Sequence, residues 1–154
     1  MYVNDEKVAA EKSEELRREI EKLKSKGLRA PHMAIVTVGN YPLLDGFVAR
    51  KIKACKEVGI EVERISYSGF ITEQTLHTEI QRLNNDSTFD GFLIQFPLPH
   101  HLNKKNLLEA IDYRKDVASP DPKAEFFTPV PGGDGPSTII SMMQNMLQAF
   151  KFGA

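Results

Sequence analysis

The alternation of short apolar runs with helical patterns constrains the fold of this chain more than any other feature. Three runs rich in branched or aromatic residues cover residues 32–39, 60–68 and 89–96, and each is followed by apolar residues at helical spacing. A nearly continuous apolar run such as HMAIVTVG is typical of a strand buried on both faces, as in a parallel sheet. Strands that alternate with helices indicate βαβ units with right-handed crossovers.

The helical patterns complete this architecture. Apolar spacing predicts helices over residues 4–26, 43–57, 72–84, 103–112 and 136–151. Asn4 or Asp5 can cap the first helix, Thr72 can cap the third, and Pro136 lies in the first turn of the last. The predicted fold class is α/β: a small, mainly parallel sheet with helices on both faces, closed by the N- and C-terminal helices.

Length and composition indicate one ordinary soluble domain. The chain has 154 residues, of which 41% are hydrophobic and 27% are charged. A net charge of −1, from 20 basic and 21 acidic residues, gives no basic surface for nucleic acid. No apolar run approaches the roughly 20 residues that span a bilayer, and the charged N-terminus does not match a signal peptide. With a single cysteine, Cys55, we expect a cytoplasmic protein without membrane or nucleic-acid partners.

Two predicted strands end in loops at the sheet edge where open α/β folds bind ligands. The first loop leads into FVARKIKAC, where Phe47 and Lys51 lie four residues apart and share a helical face. An aromatic ring beside an ammonium group can hold a flat, partly charged heterocycle, and a lysine at an apolar surface can transfer protons. The alternative is a core Phe47 with a surface Lys51 whose stem lies along the protein.

The second loop, IQFPLP, places a polar residue at the end of an apolar strand. The carboxamide of Gln95 can donate and accept hydrogen bonds toward a ligand, or it can orient a lysine. Pro97 fixes the path by which the chain leaves the strand. The alternative role for Gln95 is a hydrogen bond to the backbone of a neighbouring loop.

A third candidate segment, PVPGGDGPST over residues 129–138, precedes the last helix. Gly132 and Gly133 have no side chains, so a ligand can approach the backbone next to Pro131. Asp134 can cap the free N–H groups of the helix, contact a ligand, or do both. The spacing matches neither the dinucleotide fingerprint nor a P-loop, so the segment predicts no nucleotide site.

Metal and thiol chemistry receive little support from the sequence. Histidine, cysteine and carboxylate residues do not recur at metal-ligand spacing, so we expect no metal site. Cys55 lies one helical turn after Lys51, which can lower the pKa of its thiol. The alternative is that Cys55 is a small buried apolar side chain.

Three long motifs occur in order along the chain: VGNYPLLDGFVARKIKACKEVGIEVE, DGFLIQFPLPHHLNKKNLLEAIDYRKDV and FTPVPGGDGPSTIISMMQN. Together they resemble the bifunctional methylenetetrahydrofolate dehydrogenase/cyclohydrolase family over nearly the whole chain. The resemblance implies a folate-binding catalytic domain. In that family a Rossmann-type domain for the nicotinamide cofactor is inserted between the second and third motifs. The resemblance therefore implies that this chain has no NAD(P) site and uses no cofactor.

The resemblance also divides the chain into three parts of one domain, residues 1–154. Residues 1–118 form the main α/β part, residues 119–126 form a short bridge in place of the cofactor domain, and residues 127–154 form the returning loop and last helix. The inserted domain contributes to dimer contacts in the family. Without it, we expect a monomer or a weak homodimer.

Individual site residues follow from the resemblance. Lys51 and Gln95 fall on the family's active-site lysine and glutamine, which implies catalytic roles. Phe47 falls on a tyrosine, and Ala118 falls on an aspartate that holds the pterin edge. Asp134 replaces a usually apolar residue and is a candidate substitute for that aspartate. The implied folate-binding set is Phe47, Pro97, Pro131, Gly132, Gly133 and Asp134.

The implied activity is hydrolysis of 5,10-methenyltetrahydrofolate to 10-formyltetrahydrofolate, because that reaction needs no nicotinamide. The departures at Phe47 and Ala118 leave two alternatives open. One is a folate-binding domain with a decayed site and no significant catalysis, and the other is an altered substrate.

Overall fold

A computed structural model describes residues 5–119, 126–133 and 135–153 of the chain. Its elements, in order, are α1 (Asp5–Ser25), β1 (His32–Val38), α2 (Pro42–Val58), β2 (Glu61–Tyr67), α3 (Glu73–Asn84), β3 (Gly91–Ile94), α4 (Lys104–Ala110) and α5 (Pro136–Phe152). The predicted α/β class is confirmed. Each predicted helix and strand is present, and its ends differ from the prediction by no more than two residues.

The three strands form one parallel sheet in the order β2-β1-β3, with β1 in the centre. Successive side chains of a strand point to opposite faces. Met33 and Ile35 pack with α1, α2 and α5 on one face, while Ala34, Val36 and Val38 pack with α3 and α4 on the other. Helices therefore cover both faces, which explains why β1 is apolar along most of its length.

The strand β3 is shorter than the predicted run over residues 89–96. It ends at Ile94, so Gln95 and Phe96 lie beyond it, and the Phe96–Pro97 peptide bond is cis. Pro97 has no N–H to continue the ladder. The backbone N–H of Gln95 still donates to the Val36 carbonyl at 2.8 Å, which holds Gln95 at the carboxyl edge of the sheet.

Local capping signals set several helix ends. The Thr72 hydroxyl accepts a hydrogen bond from the Thr75 N–H at 3.1 Å, so the predicted cap of α3 is confirmed. Pro136 lies in the first turn of α5, as predicted. Gly59 ends α2 in the left-handed region at φ 98°, which favours glycine. Asn4 lies outside the described residues. Among the described helices, none combines the length and apolar character needed to cross a membrane.

The last helix, α5, returns the chain to the sheet. Gly91 makes the approach of α5 to β3 possible, because a Cβ there would lie 2.7 Å from Val117 Cγ1 and 2.8 Å from Met146 Sδ. The loop before α5 consequently lies at the carboxyl edge of the strands. Of the predicted bridge over residues 119–126, only the two end residues, Ser119 and Phe126, fall within the described residues.

Candidate active site

A cleft of about 680 Å³ opens at the carboxyl edge of β3. Its lining includes Lys51 from α2, Gln95 after β3, Ala118 before the bridge, and the loop from Pro131 to Gly133. Three segments far apart in sequence therefore meet at one cleft, at the edge where parallel sheets bind ligands. Its volume is within the usual range for small-molecule sites.

A buried polar contact in the cleft joins Lys51 to Gln95. The Lys51 Nζ donates to Gln95 Oε1 at 2.9 Å, and each residue is only 5% exposed. Lys51 is buried because α2 turns one stripe inward, formed by Leu44, Val48, Lys51, Cys55 and Val58. The alternative of a surface lysine therefore does not describe Lys51. An ammonium group at such a depth needs hydrogen-bond acceptors, and Gln95 supplies one.

The carboxamide of Gln95 is fixed by two further bonds. Its Nε2 donates to the carbonyl of Phe96 at 3.1 Å, and its backbone N–H donates to Val36. With Nε2 engaged in this way, Oε1 is directed to Lys51. Gln95 thus contacts Lys51 and the backbone of the next residue, and its role in orienting the lysine stays a prediction.

The glycine loop on the opposite wall is held by the first turn of α5. The Thr138 hydroxyl lies 2.9 Å from the Pro131 carbonyl and 3.2 Å from the Gly132 carbonyl, and Thr138 is 8% exposed. Gly133 has φ 95°, a left-handed conformation that favours glycine. The N-cap residue of α5 is Gly135, which offers no side-chain cap. Asp134, predicted as a cap or ligand contact, lies outside the described residues.

A buried asparagine in α5 joins the two sides of the bridge. Asn145 is fully buried, and its Nδ2 donates to the carbonyls of Val117 at 3.1 Å and Thr128 at 2.9 Å. Its Oδ1 accepts from the Thr128 backbone N–H at 2.8 Å and from the Thr128 hydroxyl at 3.1 Å. Because Val117 precedes Ala118 and Thr128 precedes Pro129, one carboxamide anchors two walls of the cleft.

Two predicted substrate-binding residues do not line the cleft. Phe47 lies at the edge of the buried stripe of α2, and the guanidinium of Arg50 lies over its ring at 5.3 Å. Pro97 is exposed beyond Phe96. The structure thus brings together Lys51, Gln95 and the loop Pro131–Gly133. Stacking by Phe47 and ligand contact by Pro97 stay predictions.

Cys55 is a core residue, and the possibility of an activated thiol is wrong. Burial raises the pKa of the Cys55 thiol to about 12, and the opposing effect of the Lys51 charge is smaller. The side chain is fully buried within the core on the α1, α2 and α5 face. The alternative, a small buried apolar side chain, describes it.

We expect Cys55 to resist alkylation by iodoacetamide at pH 8 in the native protein, because the thiolate is scarce and the sulfur is inaccessible. In urea, where the core is open, the same residue should react fully within the same time. Mass spectrometry of the adduct measures both reactions. Complete labelling of the folded protein at the unfolded rate would contradict the buried position.

A larger cavity, of about 790 Å³, lies at the opposite edge of the sheet. Its charged side chains are largely paired with one another: Arg29 with Asp90 at 2.8 Å and Arg114 with Asp112 at 2.6 Å. These pairs neutralise the charges that a ligand would need. The described residues also include no group of three or more His, Cys, Asp or Glu side chains that could hold a metal ion. We therefore assign the candidate site to the smaller cleft.

The residues of the cleft and its supports that were missed from the sequence include Phe96, Lys104, Thr138 and Asn145. Lys104 lies in the polar run HLNKKN, which carries no apolar pattern. Asn145 had a usable signal, because it lies three residues after Met142 and four before Ala149, which are both buried in α5. A polar residue on such a stripe must find buried partners.

Comparison with known proteins identifies relatives of the main part of the chain. Residues 3–118 match the family model described as tetrahydrofolate dehydrogenase/cyclohydrolase, catalytic domain. The bifunctional protein FolD of Porphyromonas gingivalis is 40% identical over 115 residues, which are 75% of this chain and 39% of that protein. FolD of Bacillus cereus is 41% identical over 117 residues, covering 76% of this chain and 41% of the relative. The chain thus spans about two fifths of the length of these curated relatives.

Solved structures extend the match toward the C-terminus. A 5,10-methylenetetrahydrofolate dehydrogenase from the silkworm Bombyx mori has a TM-score of 0.70 and 38% identity, covering 73% of this chain and 39% of that one. The bifunctional FolD methylenetetrahydrofolate dehydrogenase/cyclohydrolase of Campylobacter jejuni has a TM-score of 0.75 and 26% identity. That match covers 95% of this chain and 62% of the other, so it reaches beyond residue 118.

Proposed function

Because the chain belongs to the tetrahydrofolate dehydrogenase/cyclohydrolase family, we propose that it binds a tetrahydrofolate derivative and hydrolyses 5,10-methenyltetrahydrofolate to 10-formyltetrahydrofolate. The observation that carries the proposal is the buried contact of Lys51 Nζ with Gln95 Oε1 at 2.9 Å on the wall of the cleft. These are the two residues that match the family's active-site lysine and glutamine.

The reaction needs a positioned water and a group that moves protons. The substrate is a cation whose methenyl carbon bridges N5 and N10. Water adds to that carbon and releases one proton. The new hydroxyl then gives up its proton as the bond to N5 breaks, and N5 gains a proton, which leaves the formyl group on N10. Every atom comes from the substrate and one water, so no redox cofactor takes part.

Lys51 is the proposed proton-transfer group and Gln95 its positioning partner. Lys51 is proposed to accept a proton of the attacking water at Nζ and to return one to N5. Gln95 holds Nζ at a fixed place on the cleft wall, because its own Nε2 is engaged by the Phe96 carbonyl. A fixed donor and acceptor beside the reacting carbon lowers the entropic part of the barrier.

The proposed folate contacts surround this pair. The backbone from Pro131 to Gly133 forms an open wall without bulky side chains, where a flat ring can approach. Ala118 also lines the cleft but offers no acceptor to the N–H groups of a pterin. Asp134 is the proposed replacement acceptor, motivated by its departure from the family pattern. Phe47 and Pro97 belong to the proposed set from the resemblance alone, because neither lines the cleft.

A second candidate function is folate binding without significant catalysis. It is favoured by Ala118, which puts a methyl group where the resembling family has a carboxylate, and by Phe47, which lies beside Arg50 instead of lining the cleft. Weaker anchoring leaves the reacting carbon poorly positioned relative to Lys51. Such a protein retains a folate in the cleft while the reaction proceeds at the rate in buffer.

The same reasoning leads us to propose that no NAD(P) is used and that the ligand is a small-molecule folate. Residues 119–126, which join the two matching parts, are too few to form a folded domain. The adjacency of Val117 and Thr128 at Asn145 supports a direct connection at this point. A monomer or weak homodimer remains the proposed oligomeric state.

The test follows the absorbance of 5,10-methenyltetrahydrofolate with parent protein, with the Lys51→Ala protein and with buffer alone. We expect parent protein to accelerate the decay above the rate in buffer and Lys51→Ala to remove most of that acceleration. Calorimetric titration of the same samples with tetrahydrofolate measures binding separately. The Asp134→Ala protein enters this titration, because an unchanged affinity would exclude Asp134 from the site.

The outcomes separate the candidates. Binding together with a decay rate equal to that in buffer would reject the hydrolase and leave the binding protein. Neither binding nor acceleration by the parent protein would reject both. An acceleration that survives in Lys51→Ala would reject the assigned role of Lys51 but retain the activity.

A further inference from the structure

A second lysine lines the cleft that contains the Lys51–Gln95 pair. Lys104, the first residue of α4, lines the cleft with Phe96, and its Nζ lies 4.2 Å from the centroid of the Phe96 ring. Phe96 directly follows Gln95 in the chain. The aromatic face attracts the ammonium group and favours one place for an otherwise flexible side chain.

The charged side chains in the described part of the cleft lining are basic. Among the described residues that line it, the charged side chains are Lys51 and Lys104, and no carboxylate is present. Within the same described residues, Lys104 makes no salt bridge and no hydrogen bond to a carboxylate, and its Nζ lies over the Phe96 ring. An aromatic ring attracts an ammonium group without neutralising its charge, so Nζ retains its capacity to donate to an anion.

We propose that Lys104 binds a carboxylate of the glutamate tail of the folate and thereby selects glutamylated folates over pteroyl compounds that lack glutamate. This inference rests on the proposed folate ligand. In a tetrahydrofolate the one-carbon bridge lies between the pterin and the aminobenzoyl ring, and the glutamate extends from the far end of that ring. With the bridge at Lys51 and Gln95, the anionic tail must leave along the cleft, where Lys104 is the remaining cation of the described lining.

The chain supplies a matched control for this assignment. Lys105 is the next residue of α4, it is exposed like Lys104, and it is not among the residues that line the cleft. Lys104→Ala and Lys105→Ala therefore remove the same charge from neighbouring positions. Lys104→Gln is a third variant, which keeps two of the four side-chain methylenes, removes the charge and leaves a neutral carboxamide.

The experiment titrates each protein with tetrahydrofolate, which carries one glutamate, and with tetrahydropteroate, which carries none. We expect Lys104→Ala and Lys104→Gln to weaken binding of tetrahydrofolate by about tenfold, the loss typical of a partly exposed charge-assisted hydrogen bond. Binding of tetrahydropteroate should be the same in all proteins. Lys105→Ala should bind both ligands as the parent protein does.

Three results would overturn the proposal. Equal losses of affinity for the two ligands would show that Lys104 acts on the pterin or on the shape of the cleft, and not on the glutamate. An equal loss for tetrahydrofolate in Lys105→Ala would indicate a general attraction of anions. Unchanged binding of tetrahydrofolate in Lys104→Ala would exclude the contact. If the parent protein binds neither ligand, the proposed function itself fails, and that result is distinct from all three.

Discussion

Lys51→Ala is expected to slow the protein-dependent hydrolysis of 5,10-methenyltetrahydrofolate by about 10²- to 10⁴-fold, the range typical of one positioned acid–base group. Alanine removes the amine that is held 2.9 Å from Gln95 Oε1 and leaves the glycine loop of the opposite wall in place. The decay of methenyltetrahydrofolate absorbance at saturating substrate measures the effect. Affinity for tetrahydrofolate should change much less than the rate.

The matched control is Lys53→Ala on the same helix. Lys53 is exposed and lies two residues after Lys51, on the side of α2 that faces solvent. Its removal changes the net charge by the same amount and should leave the hydrolysis rate at that of the parent protein. Equal losses in the two variants would indicate that the total charge of α2, and not the amine in the cleft, determines the rate.

A double-mutant cycle with Gln95 tests whether the pair acts as a unit. If Gln95 works by holding Lys51, then Gln95→Ala should reduce the rate substantially in the parent protein and very little in the Lys51→Ala protein. Independent effects that multiply in the double variant would show that Gln95 acts on the substrate and not through Lys51.

The fold was predictable because each strand and helix carries its own periodic signal. The run over residues 32–39 is nearly continuously apolar because β1 is the central strand, with helices on both of its faces. The strand ends were less predictable. Phe89 was placed within the third strand, whereas its ring stacks on His32 before β3 begins, at 4.5 Å between centroids. An apolar residue at this position fits the sequence pattern equally well inside the strand and just before it.

The candidate site was only partly predictable, since spacing determines which residues share a helix face but not what that face meets. Lys51 and Phe47 were correctly placed four residues apart, but the buried stripe of α2 passes through Lys51 and leaves Phe47 at its edge. The bond of Lys51 to Gln95 joins residues 44 positions apart, through the packing of α2 beside the end of β3. Periodicity contains no information about such a contact.

The support of the cleft was missed for a related reason. Asn145 was included in an apolar helix, and its four hydrogen bonds reach residues on both sides of the bridge. Its position between buried methionines indicates that it is buried, but the identity of its partners depends on the tertiary structure. Thr138 holds the glycine loop in the same way, by a hydroxyl that the sequence shows only as an ordinary residue in a first helical turn.

Asn145→Leu is expected to lower the free energy of unfolding by about 3 to 5 kcal/mol. Leucine has the same branched skeleton as asparagine, with larger terminal groups, and leaves the Thr128 N–H and the carbonyls of Val117 and Thr128 without their partner. Buried groups of this kind each cost about 1 to 3 kcal/mol when they lose a hydrogen bond. Urea denaturation followed by circular dichroism measures the change, which should move the midpoint by about 2 M.

The graded control is Thr128→Val, which removes one of the four bonds. The Thr128 hydroxyl contacts Asn145 Oδ1 at 3.1 Å, while the two backbone bonds of Thr128 remain in the variant. The expected loss is about 1 kcal/mol, because a single hydroxyl bond disappears at a residue that is already exposed. The ratio of the two losses in unfolding free energy shows how much more the whole Asn145 carboxamide contributes to stability than its bond to the Thr128 hydroxyl does.

The comparison of Asn145→Leu with Thr128→Val shows whether hydrogen bonds or apolar packing set the position of the glycine loop. Apolar packing of α5 against the sheet is non-directional, so it holds the helix in place without fixing the path of the backbone that precedes it. Hydrogen bonds from Asn145 fix that path at Val117 and Thr128, and Ala118 and Pro129 follow directly. A folded Asn145→Leu protein should therefore bind tetrahydrofolate more weakly than Thr128→Val does. Equal stability losses in the two variants would instead mean that water replaces the carboxamide and that packing alone shapes the cleft.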